Sequence, residues 1–346
     1  MKNDYRNWFL LFGIIAIILM LCTFDMDYAE LRENLLIAGR WFPAIVGIWL
    51  FIYLLNSLSW YYIIHDGKEK RPVSFWRIYK LTISGFALNY ATPMGLMGGE
   101  PYRIMELTPY LGASRATSSV ILYVMMHIFT HVCFWFSSIF LYLLLYPVSW
   151  EMGIMLGIIG ATSLFAIYFF MKGYKNGLAL RTLQMLTHLP FVKKWATSFV
   201  EKKKETLQRI DLQIAQLHQQ RKRTFYTSFS LEFLSRIVGC LEIYFILNIL
   251  TDNVSFADCI LIMAFSSLFS NLFFFSPMQS GAREGGLALA VSGLAIPSAF
   301  GVYTGLLTRI RELIWITIGV CLMKIGNGSP ITITKQENET NKRTHF

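Results

Sequence analysis

Seven long apolar runs separated by shorter polar connections set the pattern of the chain: residues 8–24, 41–64, 118–146, 153–171, 225–250, 259–275 and 303–323. Each is near or above the about 17–25 residues with which a helix crosses a bilayer. A soluble domain has no use for seven such runs. The pattern predicts an all-α, polytopic membrane protein.

Two stretches break it in the same way. Residues 81–92 are apolar for about 18 Å of helix, roughly half the hydrocarbon depth. They end at Pro93, Gly95, Gly98 and Gly99, and a new helix can begin at Glu100–Pro101, because proline suits a first helical turn. In the second half, residues 259–275 run into Pro277 and Gly281, then Gly285, Gly286 and a short apolar run at 287–296. Unwound backbone survives at membrane depth only where protein buries it or a watery cavity bathes it. Each stretch therefore reads as a re-entrant, broken hairpin. They also align without a gap: Pro93-Met94 precedes Glu100 by the same spacing as Pro277-Met278 precedes Glu284. The spans before them correspond as well, so residues 8–147 and 153–323 read as two repeats of one plan.

Composition agrees with a membrane protein: 55% of residues are hydrophobic, 15% are charged, and the mean hydropathy is +0.47. The net charge of +10 changes the picture only through its placement. Residues 172–223 hold twelve Lys or Arg against three Asp or Glu. Basic connections face the cytoplasm. With the other loops counted, this rule puts both termini and the 172–223 connector inside, in a bacterial-type cytoplasmic (inner) membrane. It holds only if the first hairpin enters and leaves on the cytoplasmic side. The halves are then inverted, a transporter signature when broken helices meet near the midplane. The connector carries Leu207, Ile210, Ile214 and Leu217 at amphipathic-helix spacing and suits anionic headgroups. No nucleic-acid motif accompanies it, and no nucleic-acid partner is expected. Residues 1–325 form one membrane domain, and the polar tail 326–346 reads as disordered.

Candidate chemistry sits where the membrane disfavours it. A charge at bilayer depth costs about 2.5–3.5 kcal/mol on insertion scales. The first hairpin keeps Glu100, Arg103 and Glu106, and the second keeps Arg283 and Glu284. Residues 225–250 keep Glu232, Arg236 and Glu242, and the last span keeps Arg309, Arg311 and Glu312. Helical spacing pairs Glu232 with Arg236 and Arg309 with Glu312. Half-helix N-termini attract anions, glycines let a phosphate approach the backbone, and Arg103 and Arg283 suit a bidentate clamp. Glu100 and Glu284 repel an anion, so they neutralise the arginines, take a coupling proton, hold a substrate amine, or cap the half-helices. Asn89 and Asn271 lie on the approach helices. The candidate substrate-binding set is Asn89, Pro93, Gly98, Gly99, Glu100, Arg103, Asn271, Pro277, Gly281, Arg283, Glu284 and Arg309. His127 and His131 share a helix face, but zinc wants a third ligand, and a polar lining is the plainer role. The five cysteines show no CxxC spacing. No cofactor is expected, and no phosphate-binding GxxxxGK[ST] loop makes the chain an ATPase.

The segments Asn89–Arg103 (NYATPMGLMGGEPYR) and Ser276–Gly286 (SPMQSGAREGG), with Arg309, resemble the lysylphosphatidylglycerol synthase transmembrane-region family, the flippase-like membrane domain of the bacterial multiple peptide resistance factor. The resemblance covers about residues 5–325. It implies a helical fold that moves a phospholipid or lipid-linked anionic or zwitterionic molecule between leaflets, with membrane lipids as partners. It places the family's break on Pro93, Gly98 and Gly99, its glutamate on Glu100 and Glu284, and its arginines on Arg103 and Arg309. Arg283 and the sparser glycines of the second hairpin depart from the family pattern. No aminoacyl-transferase domain follows the membrane part, so lysyl transfer, or any enzyme activity, is not the expectation. A transporter for small anions or zwitterions, an enzyme acting on a polyprenyl-phosphate, and an assembly partner stay open beside the translocase, as does homo-oligomerisation.

Overall fold

The computed structural model describes residues 35–65, 73–91, 98–176, 222–273 and 281–325, together with Trp8, Leu11 and Ile14. Most of the first apolar run, Pro93, Pro277, the basic connector with its amphipathic segment, and the tail lie outside the described residues. Among the described residues every regular element is a helix: α1 (Phe42–Ile64, after one 3-10 turn), α2 (Phe75–Ala91), α3 (Gly99–Leu111), α4 (Ala113–Leu145), α5 (Trp150–Asn176), α6 (Lys222–Leu250), α7 (Phe256–Leu272), α8 (Ala282–Ser292) and α9 (Ser298–Leu322).

The local sequence explains the ends. Pro43 lies in the first turn of α1, where its missing N–H costs nothing. Ser255 and Asp258 close a reciprocal capping box at the start of α7. Gly112, at φ 77°, lets the chain turn from α3 into α4 without a Cβ penalty. α4 has 33 residues. That is about 50 Å of helix, more than the hydrocarbon needs, so it tilts or projects beyond it.

Four described helices are long and apolar enough to cross a membrane: 35–64, α4, 150–172 and α6. The protein is thus an all-α, polytopic membrane protein. α9 has 25 residues but is interrupted by Arg309, Arg311 and Glu312, so it belongs inside the bundle rather than against lipid. Apolar side chains on the outer faces of α4 and α5, such as Leu144, Ile154 and Phe165, are exposed, as lipid contact requires.

The chain does double back at the first break. Gly99 lies against Gly85 and Asn89, Arg103 against Leu81 and Thr82, and Tyr110 against Arg77, so α3 runs antiparallel along α2. α2 begins at Phe75, earlier than the apolar run, because the helix continues through Trp76, Arg77 and Lys80. The approach arm is therefore 17 residues, about 25 Å, rather than half a membrane. α8 returns against α7, with Gly286 under the Phe269 ring.

Helix neighbours match between the halves. α1 packs on α2, α2 on α3 and α3 on α4; in the other half α6 packs on α7, α7 on α8 and α8 on α9. Across them α2 packs on α9 as α7 packs on α4, and α1 packs on α6. Small residues allow the close crossings, as expected where helices pack in lipid. Gly319 of α9 faces Ala87 and the Ile83 carbonyl of α2, and Ser84 donates to the Gly319 carbonyl at 2.9 Å.

Candidate functional site

A cavity of about 570 Å³ opens between the two halves. Every helix except α5 contributes to its wall: Trp49 and Asn56 from α1, Asn89 from α2, Glu100 and Arg103 from α3, and Tyr123, His127 and His131 from α4. Arg236 and Glu242 come from α6, Ser270 and Asn271 from α7, Arg283 from α8, and Arg309, Arg311 and Glu312 from α9. Both hairpins thus reach one chamber.

In the first hairpin the polar groups are mostly spent on closing the hairpin itself. The Asn89 side-chain Oδ1 accepts the Gly99 N–H at 2.8 Å, and its Nδ2 donates to Glu100 at 2.9 Å. Arg103, only 1% exposed, donates to the Leu81 carbonyl at 3.4 Å and the Thr82 carbonyl at 3.2 Å, and pairs with Glu100 at 3.4 Å. Its guanidinium lies about equally near the rings of Trp60, Phe86 and Tyr123, at 5.5, 5.0 and 5.4 Å. Gly85 leaves it room, since a Cβ there would overlap the guanidinium.

The second hairpin uses the same chemistry. Glu284 accepts the Gly281 N–H at 3.0 Å and a two-pronged contact from Arg309. Gly281 needs to be glycine, because its φ is 76°. Both half-helix N-termini therefore already have side-chain acceptors, Asn89 at one and Glu284 at the other. Glu100 and Glu284 both lie in a first helical turn, where the helix dipole favours a carboxylate.

The remaining charges pair across helices. Arg311 binds Glu242 twice, at 2.7 and 3.0 Å, and stacks 3.8 Å from the Trp49 ring, whose N–H donates to Glu242 at 3.0 Å. Arg283 pairs with Glu312, and Arg311 also lies 3.6 Å from Glu312. Glu232 binds the His127 ring at 2.8 Å, while Arg236 donates to the His127 carbonyl at 2.5 Å and to Thr130 at 3.3 Å. The on-helix pairs expected from spacing, Glu232 with Arg236 and Arg309 with Glu312, do not form. Buried charges take the partner with the best geometry, and here those partners lie on facing helices.

Of the residues singled out from sequence, Asn89, Glu100, Arg103, Asn271, Arg283 and Arg309 line the chamber. Gly98, Gly99, Gly281 and Glu284 are not among its lining residues, although Glu284 pairs with Arg309, which is, and Pro93 and Pro277 fall outside the described residues. Sequence reasoning did not place Trp49, Asn56, Tyr123, Glu242, Arg311 or Glu312 in the site. Tyr123, His127 and His131 recur at four-residue steps on a membrane helix, a polar stripe that could have marked the α4 wall. Among the described residues no three His, Cys, Asp or Glu side chains come together as a metal site.

Some polar atoms of the chamber have no hydrogen bond: the Tyr123 hydroxyl, Asn56 Oδ1, Glu100 Oε2 and Arg311 Nη1. Buried polar groups are nearly always satisfied, so such a cluster marks a place where water or a polar ligand completes the bonding.

No curated protein and no solved structure matches the chain. The family model for the lysylphosphatidylglycerol synthase TM region matches residues 8–319. With the broken hairpins and the charged chamber already established by the fold, this match over nearly the whole length makes the chain a member of the lysylphosphatidylglycerol synthase transmembrane-region family.

Proposed function

We propose that the protein is a lipid translocase of the flippase type, which takes the polar headgroup of a phospholipid or lipid-linked anion or zwitterion through the chamber while the acyl chains stay in the bilayer. One observation carries this reading: a roomy chamber between two broken hairpins, walled by five arginines and three glutamates and holding unsatisfied polar atoms, inside a bundle whose outer faces are apolar. Charged groups at membrane depth are costly and mark substrate paths by default. The matching neighbour pattern of the two halves supports an inverted repeat, which gives alternating access a natural hinge. The +9 connector supports a cytoplasmic position for residues 172–223 and both termini.

The test is reconstitution into liposomes carrying fluorescent analogues of phosphatidylglycerol, phosphatidylethanolamine and a neutral diacylglycerol, with bleaching of the outer leaflet by dithionite. Faster loss of inner-leaflet signal for a phosphate-bearing lipid is the expected result. Uptake of inorganic phosphate without any lipid movement would favour the small-anion reading on the same scaffold. Rates equal to protein-free liposomes in both assays would remove transport as the function.

A further inference from the structure

The five arginines of the chamber are not equivalent. Arg103 has Glu100, Arg283 has Glu312, Arg309 has Glu284, and Arg311 has Glu242, each carboxylate within ion-pair distance. Their charges are matched before any substrate arrives. Arg236 alone makes no ion pair among the described residues. Glu232, one helical turn earlier, gives its carboxylate to His127 instead. Arg236 is held by neutral oxygens, the His127 carbonyl and the Thr130 hydroxyl, through Nη2 and Nε. Its Nη1 donates to nothing among the described residues.

A second, independent feature belongs to the same chamber lining. Tyr123 is 1% exposed, lines the same chamber, and its hydroxyl has no hydrogen bond. The phenol is within electrostatic range of Glu232, Arg103, Glu100 and Arg236. A hydroxyl with no hydrogen bond and a guanidinium whose neighbouring carboxylate, Glu232, is bonded to His127 are two donors in the lining of one chamber, and an anion between them would complete the bonding of both.

We infer that Arg236 and Tyr123 form the anion-recognising subsite of the chamber and take a phosphate group, while the four paired arginines build the wall. The fit is chemical. A guanidinium with a spare N–H and a phenol O–H match the acceptor oxygens of a phosphate monoanion. Arg236 is held in place on two sides by α4, so little is lost in ordering it on binding. The subsite is also where the sequence least expected it, since spacing assigned Arg236 to Glu232. The phosphate comes either from a lipid headgroup or from a free anion. The inference deepens the translocase reading and rests on it only for the choice of lipid.

The experiment titrates the full chain, purified in a neutral detergent, with dihexanoyl-phosphatidylglycerol, inorganic phosphate and dihexanoylglycerol. Tryptophan fluorescence reports binding, and melting temperature is read on the same preparations. Wild type should bind a phosphate-bearing probe and not the neutral glyceride. Tighter binding of the lipid than of inorganic phosphate assigns the phosphate to a headgroup, and equal binding assigns it to the free anion. Arg236→Gln should weaken binding at least about tenfold, the scale of one charge-assisted hydrogen bond, and Arg236→Lys should recover part of it. Tyr123→Phe should weaken it several-fold with the melting temperature unchanged, because the lost hydroxyl has no partner in the fold. If Arg236→Gln does not yield monodisperse protein, Tyr123→Phe decides: wild-type affinity for that variant overturns the subsite. Wild-type affinity for Arg236→Gln, or no binding of either phosphate probe by wild type, overturns it too. Binding that depends on Arg236 without movement of any lipid in liposomes would leave the subsite standing and remove the translocase reading.

Discussion

Replacing Arg103 with glutamine should damage the fold more than it damages recognition, although its position in a charged hairpin first marks it as a substrate ligand. The guanidinium is 1% exposed and spends its N–H groups on the Leu81 and Thr82 carbonyls and on Glu100. Removing one member of a buried ion pair costs about 3–5 kcal/mol, because the other charge is left behind. Two facts lower that figure here. The Glu100 side chain is 18% exposed toward the chamber, and it keeps its bond from Asn89. A glutamine amide can also retain one carbonyl contact. The net loss should be about 2–4 kcal/mol, with the hairpin the first element to loosen. For a protein of this size that lowers the melting temperature in detergent by about 3–6 °C. The assay follows melting temperature and phosphate-probe affinity on the same preparations of wild type, Arg103→Gln and Arg103→Lys. Arg103→Lys should fall between the other two, because it keeps the charge but not the fork that spans two carbonyls. A glutamine variant that melts with wild type but no longer binds would refute the reasoning and return Arg103 to the substrate.

Three further outcomes follow from the same geometry. Gly99→Ala places a Cβ against the Gly85 carbonyl and Asn89 Oδ1, so it should force α2 and α3 apart, cost about 1–3 kcal/mol and increase proteolysis between them, as read by limited chymotrypsin digestion. Glu242→Met should destabilise by leaving Arg311 only its longer contact with Glu312, whereas Glu242→Met with Arg311→Met should recover most of the loss; melting temperatures that simply add would show that the bidentate pair is not coupled. Lys202→Cys in a cysteine-free background should react with a membrane-impermeant maleimide only after the cells are opened; labelling from outside intact cells would reverse the charge-based orientation.

Much of the framework was readable from residue order because its causes are local. Apolar run length marked the long helices, and the proline–glycine breaks marked the two places where helices stop. The matched glutamates pointed to two equivalent turns, and both Glu100 and Glu284 are in fact bonded to an arginine at the start of a half-helix. What could not be read was pairing across helices. Spacing offered Glu232 to Arg236 and Glu312 to Arg309, but the crossing of α4 with α6 and of α8 with α9 supplied other partners. Arg311 and Glu242 looked like separate charges because they are far apart in the chain and meet only when α6 packs on α9. The length of α2 is hidden for a related reason: its first turns mix Arg77 and Lys80 with Phe75, Trp76 and Ile78, so an apolar run could not reveal them.

The central claim is that the chamber is the route taken by the headgroup, and Ser270→Trp tests it most directly. Ser270 lines the chamber from α7, is small, and belongs to none of the ion pairs, so an indole there fills part of the about 570 Å³ while leaving the charge network in place. Lipid translocation is measured in liposomes with wild type and Ser270→Trp, on preparations shown to be monodisperse and to melt alike. The account predicts that the tryptophan variant loses translocation of the phosphate-bearing lipid that wild type moves. Undiminished translocation through a filled chamber would contradict it and place the lipid path elsewhere on the protein.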